Sequence, residues 1–259
     1  MSKTKMINLQ NINSSNKFSR YEMKYILKKD LSNLIIEEIK NFMIYDGYAA
    51  KESSKGYFVR SLYFDSENYS NFNEKVDGVR SRYKFRIRTY SNNHNENYPI
   101  FLELKGRENK RTYKIRTLIK FDDLNLFNND KNCEKLLRIY KDNQLIEKFV
   151  FDSYKKKCLP KLIVDYERSP FINRAGYYFR LTFDKKIRGT KSNQLFDHNK
   201  KNQTIDCLSG YTVLELKFDI AIPTWFQRII QCYQLKVVSV SKYVLGADTL
   251  GLASDYEGK

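Results

Sequence analysis

The sequence predicts an α+β fold, a single domain on a largely antiparallel sheet with helices packed outside. Three observations carry this. Strand-like runs outnumber helical ones. In at least four of those runs apolar and charged residues alternate, so each strand has one apolar and one charged face. No long linker and no repeat of 20 to 50 residues divides the 259-residue chain.

The elements follow in order. Residues 1–17 are polar and read as a flexible start. "RYEMKYIL", 20–27, alternates like a strand. In "KKDLSNLIIEEIKNFMI", Leu31, Leu34, Ile35, Ile39 and Phe42 form one helical stripe, with Asp30 as the expected N-cap. Strands are expected at "GYFVRSLYFD" (56–65), "RSRYKFRIRTY" (80–90), "YPIFLELKG" (98–106) and "RTYKIR" (111–116). Acidic and Asn-rich turns at 122–132 lead into helices at 132–142 and 144–156. "PKLIVDYERSPF" is a strand ending near Pro170, and "GYYFRLTFDKKIRG" is a long strand between glycines. A polar loop, 190–204, precedes the strand "YTVLELKFD". Pro223 then starts the helix "PTWFQRIIQCYQL". "KVVSVSKY" reads as a last short strand, and 251–259 as a tail. One domain therefore spans 18–250.

Composition narrows the function classes. A net charge of +17 calls for an anionic partner, although charge spread over solvated faces is the plainer reading of the excess. The four cysteines form no CxxC pair, which argues against a zinc site and points to reduced thiols in a cytosolic protein. His94 and His198 are the only histidines, and both sit in Asn- and Lys-rich sequence. That leaves no basis for a His triad or a multi-His metal site; any metal would be a hard ion held by carboxylates. The chain has no continuous apolar leader and no run of about 18 apolar residues for a membrane span. It has no GxxxxGK[ST] loop and no kinase motif set, so nucleotide phosphates would be held by side chains.

The charged faces carry the functional reading. In 80–88, Arg80, Arg82, Lys84, Arg86 and Arg88 share one face, while Tyr83, Phe85 and Ile87 share the other. Cations in register repel unless an anion or facing carboxylates neutralise them. Arg180, Thr182, Asp184, Lys186 and Arg188 oppose Phe179, Leu181, Phe183 and Ile187. Glu215 and Lys217 oppose Leu214, Leu216 and Phe218; Glu103 and Lys105 oppose Leu102 and Leu104. Each Glu–Lys pair alone would fit a solvated face. Three such pairs beside two basic ladders fit a closed ring better, with charge facing a wet lumen and apolar faces outward under helices. Converging Arg and Lys would surround phosphate oxygens, and lumen carboxylates would offset repulsion or hold a divalent ion.

Eight pieces in order, "RYEMKYIL", "VRSLYFD", "RYKFRIRTY", "FLELKGR", "VDYERSPF", "FRLTFD", "VLELKFD" and "SKY", resemble the VTC domain. That is the polyphosphate-polymerase domain of the vacuolar transporter chaperone complex, within the triphosphate tunnel metalloenzymes. The resemblance implies an eight-stranded antiparallel tunnel. It implies transfer of the γ-phosphate of ATP onto inorganic phosphate or a growing polyphosphate chain, with Mn²⁺ or Mg²⁺. Carried over by motif, Lys24, Arg86, Arg88, Lys105, Arg168, Arg180 and Lys242 match the catalytic cations. Glu215 matches the metal-binding glutamate; Glu22 matches less securely, as do Arg82 and Lys84 as substrate-binding residues. The hydrolase and cyclase branch of the superfamily usually begins ExExK, whereas this chain has Arg20, Glu22 and Lys24. Losing that first acid favours the transferase branch.

Alternatives from other classes stay open at this stage. One is a non-catalytic polyphosphate or nucleotide sensor, and another is a triphosphate hydrolase on the same scaffold. A nucleic-acid binder is disfavoured, because alternation sends aromatics and cations to opposite faces. The resemblance also allows a separate membrane-protein partner for a cytoplasmic enzyme.

Overall fold

The computed structural model describes residues 20–47, 49, 55–94, 98–128, 130–196 and 203–253. The expected flexible start and residues 254–259 of the expected tail lie outside them. The strands are β1 (Arg20–Lys28), β2 (Met43–Tyr45), β3 (Tyr57–Asp65), β4 (Ser81–Thr89), β5 (Ile100–Glu108), β6 (Arg111–Ile119), β7 (Leu159–Asn173), β8 (Phe179–Lys191), β9 (Thr204–Asp206) and β10 (Tyr211–Phe218). The helices are α1 (Lys29–Ile39), α2 (Ser70–Val76), α3 (Asp130–Ile139), α4 (Gln144–Lys156), α5 (Thr224–Cys232) and α6 (Lys242–Thr249). A 3₁₀ helix, Phe121–Phe127, precedes α3. No helix among the described residues is long and apolar enough to cross a membrane.

Strands β7, β3, β4, β5, β6, β1, β10 and β8 pair in that order, and β8 pairs back onto β7. This closes the expected eight-stranded antiparallel tunnel, with β2 and β9 as short additions on β7 and β8. The ring has a thin seam. β1 pairs with β10 from Tyr21 to Lys28, but with β6 only at Arg20 and Tyr21. Past that point, Val238 N donates to the Lys24 carbonyl at 2.8 Å. The stretch 236–241 is therefore not the strand its alternation predicts. It follows β1 through one backbone bond and has no ladder, and Lys242 opens α6.

Alternation places the apolar faces outward, as expected. Phe64, Phe85, Ile87, Leu102 and Leu104 pack with Leu136 of α3 and with Ile146 and Phe149 of α4. Tyr25, Leu181, Phe183, Leu214 and Leu216 pack with Ile35 and Ile39 of α1 and Phe226 of α5. Each such side chain contributes about 1.5–3 kcal/mol on burial. Asn143 starts α4 by accepting the Leu145 and Ile146 N–H groups, which satisfies two orphan donors.

Several expectations need correction. Asp30 is not the N-cap of α1: Lys28 holds that position without a side-chain cap, and Asp30 lies in the first turn. The helix ends at Ile39, Leu34 is exposed, and Phe42 lies past the helix, stacked on Trp225 at 4.4 Å. The interior is also not wet throughout. Val59, Leu162, Val164, Ile187 and Val213 form a third cluster with Phe72 of α2 and with Tyr243 and Ala247 of α6. A bulge explains Ile187. Register shifts between Asp165 and Glu167, opposite Lys186 at φ 51°. Beyond Asp184 the alternation flips. Lys186 stays outside on Glu167 at 2.8 Å, Arg188 falls opposite Asp165, and Ile187 turns inward.

α6 sits hard against this inner surface. A Cβ on Gly246 would meet Leu162 Cδ1 at 3.0 Å and Val164 Cγ2 at 3.2 Å. Tyr243 Oη donates to Asp65, whose carboxylate also accepts the Asn71 and Phe72 N–H groups of α2. One part of the ring interior is thus filled by helix and apolar side chains, and the rest is left to charge.

Candidate functional site: a cationic tunnel

The remaining interior is a cavity of about 730 Å³. Fifteen Lys and Arg side chains and three Glu line it, so its field is strongly cationic. The basic ladder of β4 explains much of this. Arg82, Lys84, Arg86 and Arg88 face in, while Phe85 and Ile87 pack outward. Arg80 precedes the strand and is exposed. All eleven side chains expected at the site, from Glu22 and Lys24 to Lys242, line this cavity.

The interior carboxylates are each surrounded by cations. Glu103 is fully buried and accepts Arg86 Nε at 2.9 Å and Nη2 at 2.7 Å, with Lys114 at 3.2 Å and Arg88 at 4.0 Å. Burial opposes its charge, but Arg86, Arg88 and Lys114 outweigh burial and hold the carboxyl well below the usual range. Glu22 lies 3.0 Å from Lys24 and 3.2 Å from Lys105. Asp184 takes both prongs of Arg168, at 2.7 and 2.8 Å, and also pairs with Lys242 at 2.5 Å. Arg180 pairs with Asp46 at 2.8 Å.

Two arginines are fixed from several sides. Arg86 Nη1 donates to Tyr63 Oη at 3.1 Å. Arg88 donates to Ser61 Oγ and to Tyr166 Oη, both at 3.0 Å. Burial opposes ionisation of Tyr63, yet Arg86, Arg88 and Lys84 pull its phenol down to about 7.

Lys84 differs from its neighbours. Its hydrogen bond goes to a neutral group, Ser241 Oγ, at 3.0 Å. Burial pushes its ammonium down; Tyr63 opposes this, but Lys105, Lys24 and Arg86 add to it and bring it to about 7. Lys24 goes the other way. Burial lowers it, but Glu22 and Glu215 raise it further, and its Nζ donates to Val240 O at 2.9 Å.

Sequence reasoning had assigned no site role to several members. Lys217 and Asp184 were placed on charged faces, and their alternation was the available signal. Lys114 lies on β6, where "RTYKIR" sets Thr112, Lys114 and Arg116 against Tyr113 and Ile115, so alternation was the available signal there too. Tyr63 and Tyr166 face inward although aromatics were expected outside; reading "YFVRSLYFD" with period two from Tyr57 puts Tyr63 on the Ser61 face.

A divalent ion has a limited donor set here. Among the described residues no group of three or more His, Cys, Asp or Glu converges. Glu215 fits best: its Oε1 pairs with Lys217 at 2.8 Å, but its Oε2 lies 3.8 Å from Arg168, beyond hydrogen-bond reach. Glu22 lies next in the ladder, with Lys24 opposite Glu215 and Glu22 opposite Lys217. One or two carboxylates completed by substrate oxygens suit a hard ion such as Mg²⁺.

Comparison with known proteins agrees with the geometry. Residues 19–250 match the family described as the VTC domain. Two solved structures are similar in outline. A candidate adenylate cyclase from Bacillus halodurans is 10% identical, with TM-score 0.47, covering 87% of this chain and 95% of that one. The PH1819 protein of Pyrococcus horikoshii is 12% identical, with TM-score 0.46, covering 89% and 99%. No curated protein matches the chain. With the family match spanning nearly all of the closed ring and its cationic lining, the chain belongs to the VTC-domain family.

Proposed function

We propose that the protein is a polyphosphate polymerase. It transfers the γ-phosphoryl group of ATP onto inorganic phosphate or onto the end of a growing polyphosphate chain. The observation that carries this is the enclosed lining of fifteen cations, in which Arg86, Arg88 and Arg168 are held by fixed partners.

Arg86, Arg88, Lys105, Arg168 and Arg180 orient the donor phosphates, with Lys24, Lys84, Arg82 and Lys242 completing the cradle. An acceptor phosphate oxygen attacks the γ-phosphorus, the bond to the β-phosphate oxygen breaks, and ADP leaves. Little covalent chemistry is asked of the protein; positioning and charge stabilisation supply the rate. Glu215, with Glu22 beside it, would hold Mn²⁺ or Mg²⁺, which neutralises phosphate charge when bound. Glu22 also balances Lys24 and Lys105. Arg20, where the hydrolase branch carries an acid, removes a donor for a second ion.

Incubating pure protein with ATP and Mn²⁺ should give a phosphate ladder on a gel. ADP and free phosphate without a ladder would identify a hydrolase. ATP binding without turnover would identify a sensor. Glu215→Ala should abolish turnover while leaving the fold intact by circular dichroism; a fully active variant would remove Glu215 from the metal site. Handing the product to a separate membrane protein would show as co-purification with membranes.

A further inference from the structure

A polyphosphate chain has the same chemistry along its length. A nucleoside triphosphate does not: its tail seeks cations, its base a flat face, and its ribose a hydrogen-bond acceptor. One edge of the cavity has the second kind of chemistry. Tyr178, in the turn before β8, and Arg20, at the start of β1, both line the cavity. The Arg20 guanidinium carbon lies 3.5 Å from the Tyr178 ring centroid, so it sits over the ring face. Arg20 Nε donates to Asp219 Oδ1 at 3.1 Å, which fixes the guanidinium plane. The Asp219 side chain is 51% exposed.

This edge suits bare phosphate poorly. Asp219 offsets Arg20, and the face of a tyrosine ring gives phosphate nothing to pair with. It suits a nucleoside well, because base stacking needs a plane and a ribose hydroxyl needs an acceptor. Cations continue inward from it. Arg180 stands opposite Lys217, and Lys217 opposite Glu22, in the strand registers.

We propose that Arg20, Tyr178 and Asp219 form a nucleoside shelf at this mouth of the tunnel. The base stacks on the Arg20–Tyr178 pair, Asp219 accepts a ribose hydroxyl, and the triphosphate runs inward past Arg180 and Lys217. The shelf rests on the triphosphate reading of the cavity. It adds a direction, with the nucleotide arriving from this side.

The test compares binding of ATP and of inorganic tripolyphosphate by calorimetry to the unchanged protein, Tyr178→Ala and Tyr178→Phe. Tyr178→Ala should weaken ATP about tenfold, within the range of base–aromatic stacking, and leave tripolyphosphate within about twofold. Tyr178→Phe keeps the ring and should retain ATP affinity. The unchanged protein should also bind ATP more tightly than 2′,3′-dideoxy-ATP; equal affinity would overturn the role of Asp219. Equal losses for ATP and tripolyphosphate, or none for either, would overturn the shelf and leave the tunnel reading standing. An unchanged protein that binds neither ligand would end both.

Discussion

Lys84 has a chemistry that depends strongly on its surroundings. Its ammonium faces Lys105, Lys24 and Arg86 on three strands, with Tyr63 nearby and Ser241 as its hydrogen-bond partner. With its pKa down at about 7, it is a cation below that pH and increasingly neutral above it. Tripolyphosphate affinity should therefore fall as pH rises through about 7 to 8. Lys84→Met should flatten that fall; an identical pH profile in the variant would refute it. Stability of the free protein runs the opposite way. The unfolded chain keeps Lys84 protonated up to about 10.5, so between about 7 and that value it binds more protons than the folded state. Stability from this group accordingly rises with pH across the same window. A bound phosphate would restore the charge, so one residue makes the empty site less stable and the filled site tighter.

At the scale of elements, alternation does the placing and close contacts set the register. Gly106 stands opposite Tyr113 in the β5–β6 ladder, and a Cβ there would meet the Tyr113 ring at 2.1 Å. The ring lies directly over the glycine, an arrangement that fills the gap left by a missing side chain. Gly106→Ala should displace Tyr113 and cost about 1–3 kcal/mol, read from the midpoint of urea unfolding. An unchanged midpoint would show that Tyr113 moves freely. The β1–β6 seam shows the other side of this rule. Two residue pairs close the ring there, and the stretch 236–241 gains its position from Lys24 and Lys84 rather than from a ladder. Its valine–serine alternation predicts a strand, but no partner strand accompanies it.

For the whole molecule, the net charge of +17 is not spread evenly. Fifteen cations line one cavity, and the buried acids behind them soften but do not cancel the field. Filling the cavity with a polyanion should stabilise the fold by mass action, about 2.7 kcal/mol at a hundredfold excess over Kd. Melting with tripolyphosphate should show a clear rise in Tm at low ionic strength that shrinks as salt screens the charges. No rise at low salt would mean that the lining does not take phosphate.

Much of the fold and of the site lining was legible in the sequence, because side-chain direction on a strand follows from chain stereochemistry alone. Period two in "RYKFRIRTY" places Arg86 and Arg88 on one face, whatever the strand pairs with. The same rule puts Glu22 beside Lys24 and Glu215 beside Lys217. What it cannot give is which groups meet across the ring. Lys24 and Val240, 216 residues apart, touch only because the ring closes. The pairs of Asp184 with Arg168, and of Glu103 with Arg86 and Lys114, lie on neighbouring strands and follow from register, whereas Lys242 reaches Asp184 only because α6 enters the ring. A single bulge at Asp165–Glu167 turned Ile187 inward against the expected alternation, and α6 then found an apolar surface inside the ring. By itself the sequence determined a ring of strands with charge on one face, since that follows from local geometry. Only the tertiary structure decided how far the charged interior extends and how each charge is balanced, since both depend on strand register, on the bulge and on where α6 enters the ring.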